Sequence, residues 1–158
     1  MAEYDENFEQ AESGASMTYP TSAGSIKKGG FMVISGRPCK VVDYSTAKTG
    51  KHGHAKASIT GIDIFNDRKY EDSLPTSHNV EVPNIKRTEY QVMSIQDDYC
   101  DLIDEQGNMR SDLRLPDETE DDVAAANTIR AGVEAGSEVF ITVLAAMGIE
   151  KITDPKTK

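Results

Sequence analysis

The sequence predicts a mostly β protein built from two small barrels. Three observations carry this prediction. Short runs rich in Val and Ile, each of strand length, alternate with Gly, Pro, Asn and Asp, which is typical of strands joined by turns. Helical spacing is confined to one segment, within residues 119–132. The dipeptide Val82-Pro83 interrupts the series, because proline restricts the preceding residue and cannot donate a hydrogen bond within a sheet.

The first barrel is predicted within residues 25–83. Five short runs at close spacing, with no helical periodicity among them, are typical of a small barrel. These predicted strands are Phe31–Ser35, Cys39–Tyr44, Ala57–Phe65, Lys69–Leu74 and His78–Val82. Residues 1–24 contain five acidic residues and no basic one, followed by Ser, Thr, Ala and Gly. We expect this segment to be a disordered tail.

The second barrel is predicted within residues 84–158. Its strand-like runs are Thr88–Gln96, Tyr99–Asp104, Met109–Leu115 and Glu138–Leu144. Thr119 and Asp122 have the spacing of a capping box, and the helical spacing that follows ends before Gly132. One helix set between the later strands is compatible with a five-stranded barrel of the oligonucleotide-binding type. The polar segment Gly148–Lys158 receives no assignment.

Charge divides the chain in the same place. Residues 17–83 contain nine basic and six acidic residues, whereas residues 84–158 contain eight basic and sixteen acidic ones. The net charge of -10 therefore conceals a positive region that favours an RNA partner for the first barrel. The longest apolar run, Val139–Met147, is too short to cross a membrane, and the acidic N-terminus does not resemble a targeting signal, so we expect a cytoplasmic protein. Cys39 and Cys100 are expected to be buried free thiols.

The most informative stretch is Ser45–Lys56, with the sequence STAKTGKHGHAK. It holds three lysines and two histidines but no carboxylate and no large apolar side chain. Because the runs on either side have strand length, we expect a hairpin with a cationic tip that faces solvent or a polyanion. Gly50 and Gly53 flank Lys51 and His52, and they leave room for a partner to approach the lysine closely.

The lysines, histidines and glycines of this tip suggest several kinds of chemistry. Lys51 fits an exposed loop lysine, or a reactive amine that forms a Schiff base, although no nearby carboxylate is present to move protons. His52 and His54 make a weak metal site, since two ligands lack a third. Gly50-Lys51 is not a phosphate-binding loop, because Ser45 replaces the required glycine and His52 the required Ser or Thr. An unmodified single-strand binding module in the second barrel is the alternative function, although that half is acidic and lacks a basic groove with interleaved aromatic residues.

The stretch 45–56 closely resembles the hypusine loop of the eukaryotic translation initiation factor 5A family. The resemblance extends over residues 25–147 and includes five further blocks. They are Gly36–Lys40, Gly61–Phe65, Lys69–Asp72, Val82–Arg87 and Asp112–Pro116. The segment after Met147 does not resemble the longer helical ending of some members.

The resemblance implies an SH3-like barrel followed by an oligonucleotide-binding barrel in a translation factor that is not an enzyme. It also implies that Lys51 receives an aminobutyl group from spermidine and is then hydroxylated to hypusine, by deoxyhypusine synthase and deoxyhypusine hydroxylase. NAD serves the synthase, so no cofactor is expected for this chain. The supporting loop residues are Ser45, Thr46, Lys48, Thr49, Gly50, His52, Gly53, His54 and Lys56.

The family binds the ribosome at the exit-side tRNA position and contacts peptidyl-tRNA, relieving stalls at proline runs and assisting termination. From the charge pattern we expect Lys27, Lys28, Lys48 and Lys56 to contact RNA phosphates. Arg37 and Lys40 stay open, because strand residues face either side of a sheet. No membrane contact is expected, and whether the chain forms a weak homodimer is left open.

Overall fold

The computed structural model describes residues 16–49 and 54–158, with Thr49 and His54 described by their backbone alone. The described chain is mostly β, as predicted, and divides into two compact units. The first unit ends at Asn84 and the second runs from Ile85 to Lys158. Each unit has its own sheet and its own hydrophobic core.

The first unit contains a four-stranded antiparallel sheet and a two-stranded ribbon. The sheet has the order β2-β3-β4-β5, and the ribbon pairs β1 with β6. The strands are β1 (Thr18–Ser22), β2 (Phe31–Ile34), β3 (Arg37–Thr49), β4 (His54–Asp63), β5 (Lys69–Pro75) and β6 (Asn79–Pro83). A single turn of 3-10 helix follows β1 over Ala23–Ser25.

The predicted tail is too long, because its last residues belong to the first unit. Thr18 to Ser22 pair residue by residue with Pro83 to Asn79. Ala23 is fully buried, and its backbone N–H donates to the carbonyl of His78 at 2.8 Å. The composition of this stretch suggested disorder, but the strand is held by its backbone ladder with β6 rather than by apolar side chains of its own.

The core of the first unit lies beneath β2, β3 and β4. Met32, Ile34, Val41 and Ile59 are each about 1% exposed. Gly61 is required where β4 passes this core, because a Cβ there would lie 2.8 Å from the Cδ1 of Ile34 and 2.8 Å from the Cβ of Cys39. The alternation of buried and exposed residues fixes which face of β3 and β4 points outward.

The second unit is a five-stranded antiparallel sheet with the order β11-β10-β7-β8-β9. Its strands are β7 (Ile85–Gln96), β8 (Tyr99–Ile103), β9 (Met109–Arg114), β10 (Val139–Ala146) and β11 (Ile149–Thr157). The helix α1 (Glu120–Glu134) lies between β9 and β10. Arg110 of β9 binds Glu150 of β11 through two hydrogen bonds of 2.8 and 2.9 Å, so an ion pair links the two edge strands. This is the predicted barrel of the oligonucleotide-binding type.

The fifth strand of this barrel, β11, occupies the segment that the sequence left unassigned. Its pairing with β10 shifts register between Phe140 and Thr142, and Asp154 adopts a positive φ of 52° at this irregularity. Pro155 follows Asp154 where the ladder is interrupted, a position at which proline is tolerated. Only Ile152 is deeply buried along β11, at 1% exposure, so the hydrophobic pattern of this strand is too weak to read.

The helix begins as predicted but ends later. The Thr119 side chain accepts a hydrogen bond from the Asp122 backbone N–H, and the Asp122 side chain accepts one from the Thr119 N–H, which completes the capping box. The helix continues through Gly132 to Glu134, and Gly136 follows with a positive φ of 77°. Ala126, Ile129 and Gly132 are buried.

Candidate functional site

The site predicted from the sequence lies at the end of the β3–β4 hairpin. These strands pair continuously except for one register shift near Val41, from Cys39 opposite Asp63 to Thr49 opposite His54. Most of the stretch predicted as a loop is therefore strand. Ser, Thr and Ala supply no core contacts there, yet antiparallel backbone pairing extends the ladder past the core.

The two lysines that flank the tip lie on opposite faces of the hairpin. Lys48 is opposite Ala55, whereas Lys56 is opposite Ala47. Because cross-strand partners share a face and consecutive residues alternate, the side chains of Lys48 and Lys56 point to opposite sides. Both lysines are exposed, as are Ser45 and Thr46.

The proposed modification site lies outside the described residues. Gly50, Lys51, His52 and Gly53 connect the two strands between Thr49 and His54 and are not among them. The backbones of Thr49 and His54 pair with each other. The structure therefore defines the strands that lead to Lys51.

An ion pair joins the two strands at the base of the hairpin. The Arg37 Nε donates to the Asp63 Oδ2 at 2.5 Å, and the Asp63 side chain is completely buried. The Asp63 Oδ1 also accepts from the Phe65 N–H at 2.8 Å and from the Asn66 N–H at 3.3 Å. Arg37, which the sequence left open as a phosphate contact, is thus committed to a structural carboxylate, while Lys40 is exposed.

A brace that the sequence analysis missed supports the middle of the hairpin. The Tyr44 hydroxyl donates to the Ala23 carbonyl at 2.9 Å. On the β4 side, the Thr76 N–H donates to the Ala55 carbonyl at 3.0 Å, and the Gly24 N–H donates to the Thr76 carbonyl at 2.9 Å. An added Cβ on Gly24 would lie 3.3 Å from the Cβ of Thr76. The signal was Tyr44, a residue with a polar tip at the last apolar position before the cationic stretch.

Lys27 and Lys28 lie near the base of the hairpin. Both are exposed, and the turn that contains them is joined to β3 at Val41, whose carbonyl accepts from the Gly29 N–H at 2.8 Å. Lys48 follows Val41 by seven positions along β3, about 23 Å at 3.3 Å per residue. The structure therefore does not bring Lys27 and Lys28 together with the lysines near the tip.

Four of the eight basic side chains of the second unit are paired with carboxylates. Asp98 pairs with Arg130 and, at 3.6 Å, with Arg114. The hydrogen bond from Arg130 holds the pKa of Asp98 below its usual range. Arg110 contacts both Asp112 and Glu150, and Lys151 donates to Asp122 at 2.8 Å. These pairings weaken the case for phosphate binding on this barrel.

Metal and thiol chemistry are not assembled in residues 16–49 and 54–158. Within those ranges, no group of three or more His, Cys, Asp or Glu residues is placed to hold a metal ion. Cys39 and Cys100 are buried and free, as expected. Burial raises the pKa of each thiol to about 11, so both stay protonated near neutral pH. No helix in the part of the chain that the structure describes is long and apolar enough to cross a membrane.

Two family models together match almost the whole described chain. The model described as "Translation initiation factor 5A-like, N-terminal" matches residues 16–78. The model described as "Eukaryotic elongation factor 5A hypusine, DNA-binding OB fold" matches residues 84–156. The two matches fall on the two units, one on each.

Curated proteins and solved structures agree with these models. The chain is 50% identical to eukaryotic translation initiation factor 5A-1/2 of Solanum tuberosum, over 96% of this chain and 94% of that protein. It is 48% identical to eukaryotic translation initiation factor 5A of Dictyostelium discoideum, over 96% of this chain and 92% of that protein. A translation initiation factor eif-5a family protein from Naegleria fowleri has a TM-score of 0.86 and 54% identity, over 89% of this chain and 99% of that one. The corresponding factor from Methanococcus jannaschii has a TM-score of 0.66 and 35% identity, over 89% and 96%.

The shared architecture and the identity along nearly the whole length agree with the family resemblance of the sequence. The relatives are named as translation factors and not as enzymes. The chain belongs to the eukaryotic translation initiation factor 5A family.

Proposed function

We propose that this chain binds the ribosome near the exit-side tRNA position and contacts peptidyl-tRNA through a hypusine at Lys51. The observation that carries the proposal is the β3–β4 hairpin, whose ladder extends to Thr49 and His54, on either side of the segment with Lys51. Family membership supports a role in translation. The specific site and partner are what the proposal adds.

Two enzymes would act on this chain before it works. Deoxyhypusine synthase, with NAD, would transfer the aminobutyl group of spermidine to the Lys51 amine, and deoxyhypusine hydroxylase would then hydroxylate the product. Hypusine keeps one cationic amine and adds another at the end of a longer arm. Its tip therefore reaches phosphates that lysine cannot, and a charge-assisted hydrogen bond fixes it there. No cofactor is proposed for the chain itself.

The mechanism is positioning rather than chemistry by this chain. The strands that lead to Lys51 are held in place, because the Arg37–Asp63 pair holds the base of the hairpin and the Tyr44 and Thr76 hydrogen bonds hold its sides. An arm that restrains peptidyl-tRNA in a productive geometry lowers the entropic part of the barrier, while the ribosome performs the reaction. The gain is largest where the substrate itself is poorly oriented, as in proline runs and at termination.

Lys48 and Lys56 are proposed as the nearest phosphate contacts, one on each face of the hairpin. Ser45, Thr46, Thr49, His52 and His54 would present short polar groups to the same partners, and Gly50 and Gly53 would let them approach. Lys27 and Lys28 would contact phosphates near the hairpin base, away from the modified lysine. The cytoplasm is the proposed location.

The decisive variant is Lys51→Arg, which keeps one charge but cannot be converted to hypusine. In a reconstituted translation system, after treatment with both modifying enzymes, we expect synthesis through a proline run to fall roughly tenfold or more. Synthesis of a peptide without prolines should change little. Circular dichroism should show the folded chain unchanged.

Lys69→Arg is the matched control, since Lys69 is an exposed lysine of β5 outside the hairpin. It should match the unaltered chain in modification and in activity. Full proline-run activity of Lys51→Arg would overturn the proposal. Equal binding of short single-stranded RNA by unmodified Lys51→Arg and by the unmodified, unaltered chain, together with that activity, would favour the single-strand binding module instead.

A further inference from the structure

A cavity of about 320 Å³ opens on the outer face of the second unit, between β10, β7 and β8. Phe140, Gln91 and Ile103 form one row across these strands, because Gln91 is opposite both Phe140 and Ile103. Val139 and Ile141, the neighbours of Phe140, are buried in the core at 0% and 1% exposure. The alternation along β10 therefore turns the Phe140 ring outward into the cavity.

Carboxylates surround this aromatic ring. Glu89, Asp104 and Glu105 line the cavity with it. Asp104 is engaged by its own turn, where its Oδ1 accepts from the Gln106 and Asn108 N–H groups. Among the hydrogen bonds and ion pairs of the described residues, none involves the side chains of Glu89 or Glu105. Two exposed carboxylates are thus available beside an aromatic face.

The cavity already holds a cation of this protein. The Lys158 Nζ lies 4.7 Å from the centroid of the Phe140 ring, within the range of a cation–π interaction. Lys158 is placed there by backbone pairing with Glu138, whose carbonyl accepts from the Lys158 N–H at 2.9 Å. A primary ammonium on an alkyl chain therefore fits over the ring, with the carboxylates at its rim.

We propose that this cavity is a binding site for a primary alkylammonium group supplied from outside, and that Lys158 occupies it when the ligand is absent. The ligand's ammonium would stand over Phe140 and pair with Glu89 or Glu105, and its methylenes would lie against Ile103 and Gln91. An incoming ligand must displace the Lys158 side chain. The site is independent of the Lys51 hairpin and does not require the proposed function.

The test is a titration of the full ¹⁵N-labelled chain with n-butylammonium, followed by NMR. We expect saturable amide shifts centred on Gln91, Ile103 and Phe140, and none with 1-butanol or with sodium chloride at equal ionic strength. Phe140→Leu should weaken binding roughly two- to fivefold by removing the cation–π interaction. Glu89→Gln combined with Glu105→Gln should weaken it further.

Lys158→Ala distinguishes the displacement of the Lys158 side chain from the general effect of removing one positive charge. It should strengthen binding by removing the internal occupant, whereas Lys86→Ala, which removes the same charge from an exposed lysine of β7 that does not line the cavity, should have a smaller effect. The peptide Ac-Gly-Lys-Gly-NH₂, compared with its norleucine analogue, distinguishes a protein lysine from a free amine as the source. Tighter binding of the lysine peptide than of n-butylammonium would identify the protein source.

The proposal is overturned if n-butylammonium and 1-butanol give the same shifts. It is equally overturned if no saturable shift occurs in any variant, or if Lys158→Ala and Lys86→Ala have equal effects. The circular dichroism of each variant establishes that a loss of binding is not a loss of fold.

Discussion

Asp63 is completely buried and connects the two strands of the hairpin at their base. Its carboxylate accepts hydrogen bonds from three groups: the Arg37 guanidinium and the backbone N–H groups of Phe65 and Asn66. A buried carboxylate is tolerated only when its charge and its acceptor sites are matched in this way. The same residue therefore ends β4, forms the following turn and fixes the start of β3.

Asp63→Asn should destabilise the first unit by about 2 kcal/mol. The loss is smaller than the roughly 3–5 kcal/mol typical of a broken buried ion pair, because the Arg37 side chain is 31% exposed and water solvates part of its charge. The urea dependence of Cys39 alkylation measures this change, since Cys39 is buried in the first unit. Cys100, in the second unit of the same molecule, should show an unchanged profile.

Asp67→Asn is the control for this variant. Asp67 is exposed and has a φ of 63°, a conformation that Asn also adopts readily. Its urea profile should be close to that of the unaltered chain. An equal or larger shift for Asp67→Asn than for Asp63→Asn would contradict the role given to Asp63.

At the scale of elements, α1 shows how a glycine can be required by packing rather than by backbone conformation. The sequence indicated that the helix stops before Gly132, since glycine is a poor helix former. The helix nonetheless continues to Glu134. Packing explains the glycine, because an added Cβ at Gly132 would lie 2.6 Å from the Val139 Cγ2 and 3.0 Å from the Thr157 Cγ2. Gly132 is therefore the point at which α1 approaches β10 and β11.

Gly132→Ala should destabilise the second unit by up to about 2 kcal/mol. The methyl group must push β10 away, at a typical overpacking cost of about 1–3 kcal/mol, and a gain of about 1 kcal/mol in helix propensity offsets part of this cost. Thr128→Ala, at an exposed position of the same helix, should be neutral or slightly stabilising. Urea profiles of Cys100 alkylation compare the two variants, and a Gly132→Ala profile equal to that of Thr128→Ala would refute the packing argument.

Elements with apolar periodicity or capping chemistry could be predicted from the sequence, whereas those held by backbone pairing could not. The capping box at Thr119 and the strands β2 and β5 can be recognised from the pattern of their side chains. Strand β1, the outer half of the β3–β4 hairpin and β11 bury few apolar groups, and the partner of β1 is remote in sequence. For the site, the sequence indicated Lys51 and its cationic surroundings, but the opposite orientations of Lys48 and Lys56 depend on the register of the hairpin.

At the scale of the whole molecule, the two units share one response to alkaline pH. Burial raises the pKa of Cys39 and of Cys100 from an ordinary 9.0 to about 11, and the Asp63 carboxylate contributes to the shift at Cys39. Between these values the folded chain holds protons that the unfolded chain releases. Stability from the thiols is therefore fully present below pH 9 and is lost as the pH rises toward 11.

Over this range of pH, the ionisation of each thiol should lower the free energy of unfolding by on the order of 1–2 kcal/mol. The measurement compares urea unfolding at pH 8.5 and pH 10.5 for the unaltered chain and for a Cys39→Ala, Cys100→Ala double variant. Tyrosines and lysines ionise in the same range in both proteins, so the difference isolates the thiols. An equal loss of stability in the two proteins would show that the buried thiols do not contribute.

The register of the β3–β4 hairpin places one exposed lysine on each of its two faces, so both faces attract negative charge. Lys48 reaches out from one side and Lys56 from the other, about equally far along the strands. A negatively charged surface on either side of the hairpin therefore meets a lysine without any rotation of the hairpin. A hairpin with this distribution can pair with polyanions on both of its sides at the same time, one through Lys48 and the other through Lys56.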